Sequence, residues 1–309
     1  MLISMLPIFL ILAVGFLTRK IQLFSDAAIT GFKTILIQIA LPGALFLAFA
    51  QATLKVAYIW VFLLVFLFCV VLYAIGHLLH QFAPRLFPDD YTNGYFTGFE
   101  FGMIGIGLFT AIWGMEKLPT IAMIALGHEI FIWFVYVPVL EARKTGGVHI
   151  SQTIRKFFRT PTVIAILLGV AVNLLNVYPT LVTQTTGQAI LRGLNMTSGM
   201  VAPLILIVIG NSLSFKKIPL RKSVVLLATR WLVVLGLGYT LLSLMTRFLS
   251  LDPFFKIAFY AFILLPPPFI LPLFIKPKNK TEIVFFSELL IYYTLLSFIG
   301  YTVFMGTMI

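Results

Sequence analysis

The chain has 309 residues, of which 61% are apolar and only 10% charged, with a mean hydropathy of +1.06. A soluble globular chain carries about 25% charged residues, so this one cannot cover a water-facing surface and lipid must be its main solvent. The net charge of +12 sits in short loops between apolar runs, without a basic face or aromatic-basic interleaving, which excludes a nucleic-acid surface.

A helix crosses a bilayer in about 20 apolar residues. Ten stretches qualify: 2–18, 28–50, 56–79, 94–114, 119–141, 161–178, 196–214, 221–246, 253–275 and 282–306. The first has no basic residue before it and Arg19-Lys20 behind it. That is the reverse of a cleavable secretory signal, so it is predicted to be the first membrane helix. The one cysteine, Cys69, lies inside the third stretch and has no second thiol for a disulfide or a metal cluster. The sequence calls for no metal and no cofactor.

Lys and Arg set the predicted orientation. The odd-numbered loops and their borders carry Arg19, Lys20, Lys33, Arg85, Arg143, Lys144, Arg155, Lys156, Arg159, Lys216, Lys217, Arg221, Lys222, Lys276, Lys278 and Lys280. The even-numbered loops carry only Lys55, Lys117, Arg192, Arg247 and Lys256. The odd loops are therefore predicted to be cytoplasmic, with both termini outside a plasma (inner) membrane. Asp89, Asp90 and His149 fall in loops and are expected to be solvated.

The chain also repeats itself. Ala40-Leu41-Pro42-Gly43-Ala44-Leu45 in the second span resembles Val201-Ala202-Pro203-Leu204-Ile205-Leu206 in the seventh. The offset, 203 − 42 = 161, sends each of the first five spans close to one of the last five. Five is odd, so the second half must be inverted. The predicted fold is an all-α polytopic membrane protein: one transmembrane domain over 1–309, with inverted five-helix repeats over 1–141 and 161–309. A short basic cytoplasmic loop, 142–160, joins them and is expected to lie on the membrane edge.

Carriers with inverted repeats bind substrate near the midplane, where paired helices are broken. The fourth span contains Gly98, Gly102, Gly105 and Gly107, and the ninth contains Pro266, Pro267, Pro268 and Pro272; the offset sets Gly107 on Pro268. Pro removes a backbone donor and Gly lets the backbone leave helical angles. The groups so freed are tolerated where they line protein or a wet cavity. Helices four and nine are therefore predicted to be broken and to cross. The half-helix N-termini meeting there favour an anion.

Ionisable groups within spans default to function. They are Glu100, beside the predicted crossover, and Glu129, Arg230 and Glu288. Glu100 is expected to take and release a proton, with Arg230 the candidate ion-pair partner for a glutamate. Asn211 is a candidate pathway residue.

Glu100-Phe101-Gly102-Met103-Ile104-Gly105-Ile106-Gly107, with Gly114 beyond, resembles the crossover motif of the auxin efflux carrier family. Ile39 through Phe46, Pro161 through Asn173, and Ala202-Pro203-Leu204 with Gly210-Asn211-Ser212-Leu213 are similar to its second, sixth and seventh helices. The resemblance spans nearly the whole chain. It implies a ten-helix carrier with crossing helices four and nine that moves organic anions such as malate or malonate. Where the family has Asn and Pro at the crossover, this chain has Glu100 and Gly107.

The expected partners are a small organic anion, protons and the lipid bilayer, with a homodimer as the assembly to test. Two other readings use the same scaffold: a sodium-coupled symporter of the bile-acid type and a non-transporting membrane sensor. An intramembrane enzyme is not expected, because His-Glu-x-x-His, Gly-x-Gly-Asp, Gly-x-Ser-x-Gly and the P-loop are all missing from the sequence.

Overall fold

A computed structural model describes residues 2–52, 55–145, 150–213, 218–276 and 279–308. His149, Lys216, Lys217 and Lys278 fall outside the described residues, as does the side chain of Lys156. The chain is 83% helix, with no strand among the described residues.

The helices of the first half are α1 (Leu2–Lys20), α2 (Asp26–Ile35), α3 (Leu41–Ala50), α4 (Ala57–Phe82), α5 (Thr92–Phe96), α6 (Ile106–Trp113), α7 (Leu118–Phe131) and α8 (Val137–Thr145). Then come α9 (Ile150–Arg159), α10 (Pro161–Leu174), α11 (Tyr178–Thr183), α12 (Thr185–Ser198) and α13 (Val201–Ser212). The last four are α14 (Leu220–Phe248), α15 (Phe255–Ile263), α16 (Leu271–Phe274) and α17 (Lys280–Met308).

Among the described residues, seven helical stretches are long and apolar enough to cross a membrane: 26–50, 57–82, 92–113, 115–144, 185–212, 220–248 and 280–304. The chain is an integral membrane protein. Each of the seven overlaps a predicted span. The other three predictions fall on α1, on α10, a shorter apolar helix, and on α15 with α16, which are separated at 264–270. The joint predicted as a loop holds the helix α9, where Phe157 is buried while Arg155 and Arg159 are exposed.

The chain divides into two compact units, each built from both halves. One comprises Met1–Leu54, Gly102–Ala122 and Arg155–Leu213, and the other Lys55–Phe101, Met123–Ile154 and Ser214–Ile309.

In the first unit the most extensive helix contacts are α10 with α3 and α1 with α13. Both need glycine. A Cβ on Gly15 would run into the Ile207 carbonyl, and one on Gly169 would lie 2.6 Å from the Phe46 carbonyl oxygen. Small residues let membrane helices approach closely, and this replaces the hydrophobic drive that lipid cannot supply. Each pair is also capped. Arg19 of α1 donates to the Ser212 and Leu213 carbonyls at the end of α13, at 3.2 and 2.6 Å. Asn173 of α10 donates to the Phe49, Ala50 and Ala52 carbonyls at the end of α3, at 3.0, 3.2 and 2.7 Å. A helix end leaves four carbonyls unsatisfied, and lipid offers no donor.

Pro203 lies in the first turn of α13, where a missing N–H costs little, whereas Pro42 lies inside the continuous helical stretch 26–50. A π-helical turn, Leu36–Ala40, precedes one, and a break at Gly199-Met200 precedes the other.

In the second unit α4 packs on α5 through Gly76, whose added Cβ would be 2.7 Å from the Asn93 Cα. Gly127 of α7 lies against the Phe62 carbonyl. These contacts bury the aromatic cluster of Phe96, Phe99, Phe262 and Tyr293.

Candidate functional site

The fourth span stops being helical at Thr97. Gly98 has φ +71°, a left-handed value that glycine adopts at no steric cost. A π-helical turn follows at Phe101–Gly105, and regular helix resumes with α6. The ninth span stops at Leu264 and restarts at Leu271, with Pro266, Pro267 and Pro268 between. No Pro can donate a backbone hydrogen bond, so this stretch cannot hold a continuous helix.

The two interruptions meet within the second unit. The Glu100 N–H donates to the Pro266 carbonyl at 2.7 Å. In return the Phe269 N–H donates to the Glu100 carboxylate, Oε2, at 2.7 Å. A Cβ on Gly98 would be 2.6 Å from Pro268 Cγ, so only glycine allows this approach. Pro266, Pro267 and Pro268 are buried, whereas Glu100, Phe269 and Ile270 are partly exposed. The carboxylate thus sits where the broken backbone reaches an accessible edge.

The remaining freed groups have specific partners. Arg230 of α14 is fully buried, and its two terminal nitrogens donate to the Tyr95 carbonyl at 2.9 Å and the Gly98 carbonyl at 2.7 Å. Its guanidinium also lies 5.4 Å from the ring centre of Phe99 and 5.3 Å from that of Tyr293, within cation–π range. A buried cation is costly. Here it serves carbonyls at the end of α5 that would otherwise be orphaned, and positive charge is favoured at a helix C-terminus.

On the donor side, the Phe99 N–H points at His128 Nε2, at 2.9 Å. A backbone N–H only donates, so Nε2 must be unprotonated. In a neutral ring the proton is then on Nδ1, which lies 3.3 Å from Glu129 Oε1. The side chains of these two sequence neighbours thus approach each other, though Nδ1 makes no hydrogen bond there. Nearby, the Thr97 hydroxyl donates to the Cys69 carbonyl at 2.6 Å, which ties the break to α4.

The predicted site residues separate as follows. Glu100 and Pro266 lie in the contact between the two interruptions, with Pro267 and Pro268 in the same stretch; Arg230 donates to the Tyr95 and Gly98 carbonyls beside it, and Glu129 lies next to His128. Pro272 lies within α16, and Glu288 is buried in α17. Gly102 and Gly105 lie in the π-helical turn of the other unit, where a Cβ on Gly102 would meet nothing within 4 Å. Gly107 is inside regular α6, where an added Cβ would lie 3.0 Å from Ile205 Cγ2. Asn211 donates to the Thr18 hydroxyl at 3.1 Å and lines a polar cavity of about 850 Å³ with Arg19, Gln22, Asp26 and Lys33. The sequence marks His128 only as the neighbour of Glu129 with no second His four residues on; a histidine in an apolar span was the available signal for its role.

No protein-family model matches the chain, and no curated protein matches it. Among the described residues no group of three or more His, Cys, Asp or Glu could hold a metal ion.

Proposed function

We propose that the chain is a secondary carrier of a small organic anion, such as a mono- or dicarboxylate, and that it resembles the auxin efflux carrier family. Its ten spans form two inverted five-helix repeats, with helices four and nine crossing at the site. Both termini are outside the plasma membrane, as the distribution of Lys and Arg argues.

The observation that carries this reading is the exchange between Glu100 and the 266–269 backbone. Two broken spans share hydrogen bonds in an apolar protein, at a place only partly closed to the outside. Structure of that kind is tolerated in membranes where it lines a pathway. The division of the chain supports the repeat independently. Moving Met1–Leu54 by 161 residues gives 162–215, close to Arg155–Leu213 of the same unit. The α1–α13 and α10–α3 pairs are exchanged by the same operation.

Glu100 gives the mechanism. Its carboxylate accepts the backbone N–H that an anionic substrate would seek. A proton on Glu100 weakens that bond and removes the negative charge, so the substrate carboxylate can take the Phe269 N–H. Substrate and proton then travel together.

The test is counterflow in proteoliposomes. Labelled malonate or malate should accumulate against internal unlabelled substrate, saturably and faster with a proton gradient. Glu100→Gln should abolish the response to the gradient. Absence of counterflow across a carboxylate panel sinks the carrier reading. Flux that instead follows a sodium gradient favours the bile-acid-type symporter, and unchanged proton dependence in Glu100→Gln removes the proton role.

A further inference from the structure

A second cavity lies in the second unit, at the ends of two membrane-spanning helices. It has a volume of about 790 Å³ and is lined by Phe82, Arg85, Leu86, Pro219, Arg221 and Lys222, among others. It is formed where α4 ends and α14 begins, and so at the level where spans emerge from lipid.

The charges there do not cancel. Lys222 is committed: its Nζ is 2.7 Å from Asp89 Oδ1 and 4.0 Å from the ring centre of Phe285. Arg85 and Arg221 are exposed, and no ion pair engages either among the described residues. Asp90, the other acidic residue of this loop, pairs with His80 at 3.6 Å. Two uncommitted guanidinium groups therefore face one concavity, and guanidinium is the group best suited to bidentate phosphate binding.

The rest of the wall is apolar. Phe82 is 78% exposed and Leu220, next to the cavity, is 77% exposed, too much apolar surface for a site that binds only a water-soluble ion. Phosphate-binding cations beside exposed apolar side chains at a span boundary match one amphiphile. We infer that this cavity binds the headgroup of an anionic phospholipid, with the phosphate on Arg85 and Arg221 and the acyl chains along Phe82, Leu86 and Leu220. Basic pockets at helix ends recognise anionic lipid in this way. The site requires only that the chain lie in a membrane, and it stands whether or not the carrier reading does.

The experiment uses the purified full chain in detergent. Phosphatidylglycerol should raise the Tm, while phosphatidylcholine and inorganic phosphate should have much smaller effects. Arg85→Gln with Arg221→Gln should weaken phosphatidylglycerol binding on the order of tenfold or more. Arg192→Gln with Arg247→Gln, in α12 and in the last turn of α14 on the opposite predicted side, should leave it unchanged. A photoactivatable phosphatidylglycerol on the wild type should label peptides from 82–88 and 219–225, which keeps the test valid if the double variant fails to fold. Equal stabilisation by phosphatidylcholine, full reproduction by phosphate alone, or labelling confined to other segments each overturns the assignment.

Discussion

Arg230 and Gly98 are joined by a 2.7 Å hydrogen bond from a guanidinium nitrogen to a main-chain carbonyl, although they lie 132 positions apart. The same side chain serves the Tyr95 carbonyl. A permanently charged residue at zero exposure is thus held by backbone that a helix break has set free.

Arg230→Met should fill much of the volume but leave both carbonyls buried without donors. Each such loss costs about 1–3 kcal/mol, so thermal unfolding in detergent should shift strongly downward. Arg230→Lys keeps the charge but loses the fork and should fall between. A Met variant as stable as wild type would show that the carbonyls have other donors.

Two glycines give effects of opposite sign. Gly98→Ala places a Cβ 2.6 Å from Pro268 Cγ at φ +71° and should destabilise by about 1–3 kcal/mol. Gly236→Ala, in α14, meets nothing within 4 Å and should stabilise by about 0.5 kcal/mol. Paired melting curves decide whether local geometry, rather than glycine content, sets the outcome.

Asn173 is a pure donor to three carbonyls at the end of α3. Asn173→Leu should cost about 1–2 kcal/mol, within the range for interhelical hydrogen bonds in membranes. Asn173→Asp should be worse, since an ionised carboxylate only accepts and would face oxygen atoms. Equal Tm values for the two variants would contradict this account.

His128→Phe removes the acceptor for the Phe99 N–H and should cost about 1–3 kcal/mol. His128→Gln retains an acceptor oxygen and should recover part of that. Hydrogen exchange at the Phe99 amide reads the bond directly: it should speed up in His128→Phe and stay slower in His128→Gln.

Some of the site was visible in the residues and some was not. Pro266-Pro267-Pro268 announced the break in the ninth span, because no arrangement restores three missing donors. The break in the fourth span was harder to locate. Gly98, Gly102, Gly105 and Gly107 look alike in sequence, yet Gly98 adopts a left-handed turn while Gly107 packs inside α6 against Ile205. Glycine serves both irregular backbone and close packing, and only its neighbours tell which. Arg230 posed a similar problem. Charge matching pointed to a glutamate, whereas its hydrogen bonds go to carbonyls, which carry no signature in side-chain composition.

The sequence by itself determined the solvent, the helical class, most of the long spans and the matched positions of Pro42 and Pro203. These follow from apolar length, few charges and absent donors, all properties of the chain read locally. Tertiary structure alone decided that Glu100 meets Phe269, that His128 takes the Phe99 N–H, and that Arg19 and Asn173 each cap a helix from the other half. Those partners are set by which freed backbone group comes within 3 Å of which side chain. That distance is fixed by helix packing across 29 residues for His128 and Phe99 and more than a hundred for the others, and no local pattern encodes it.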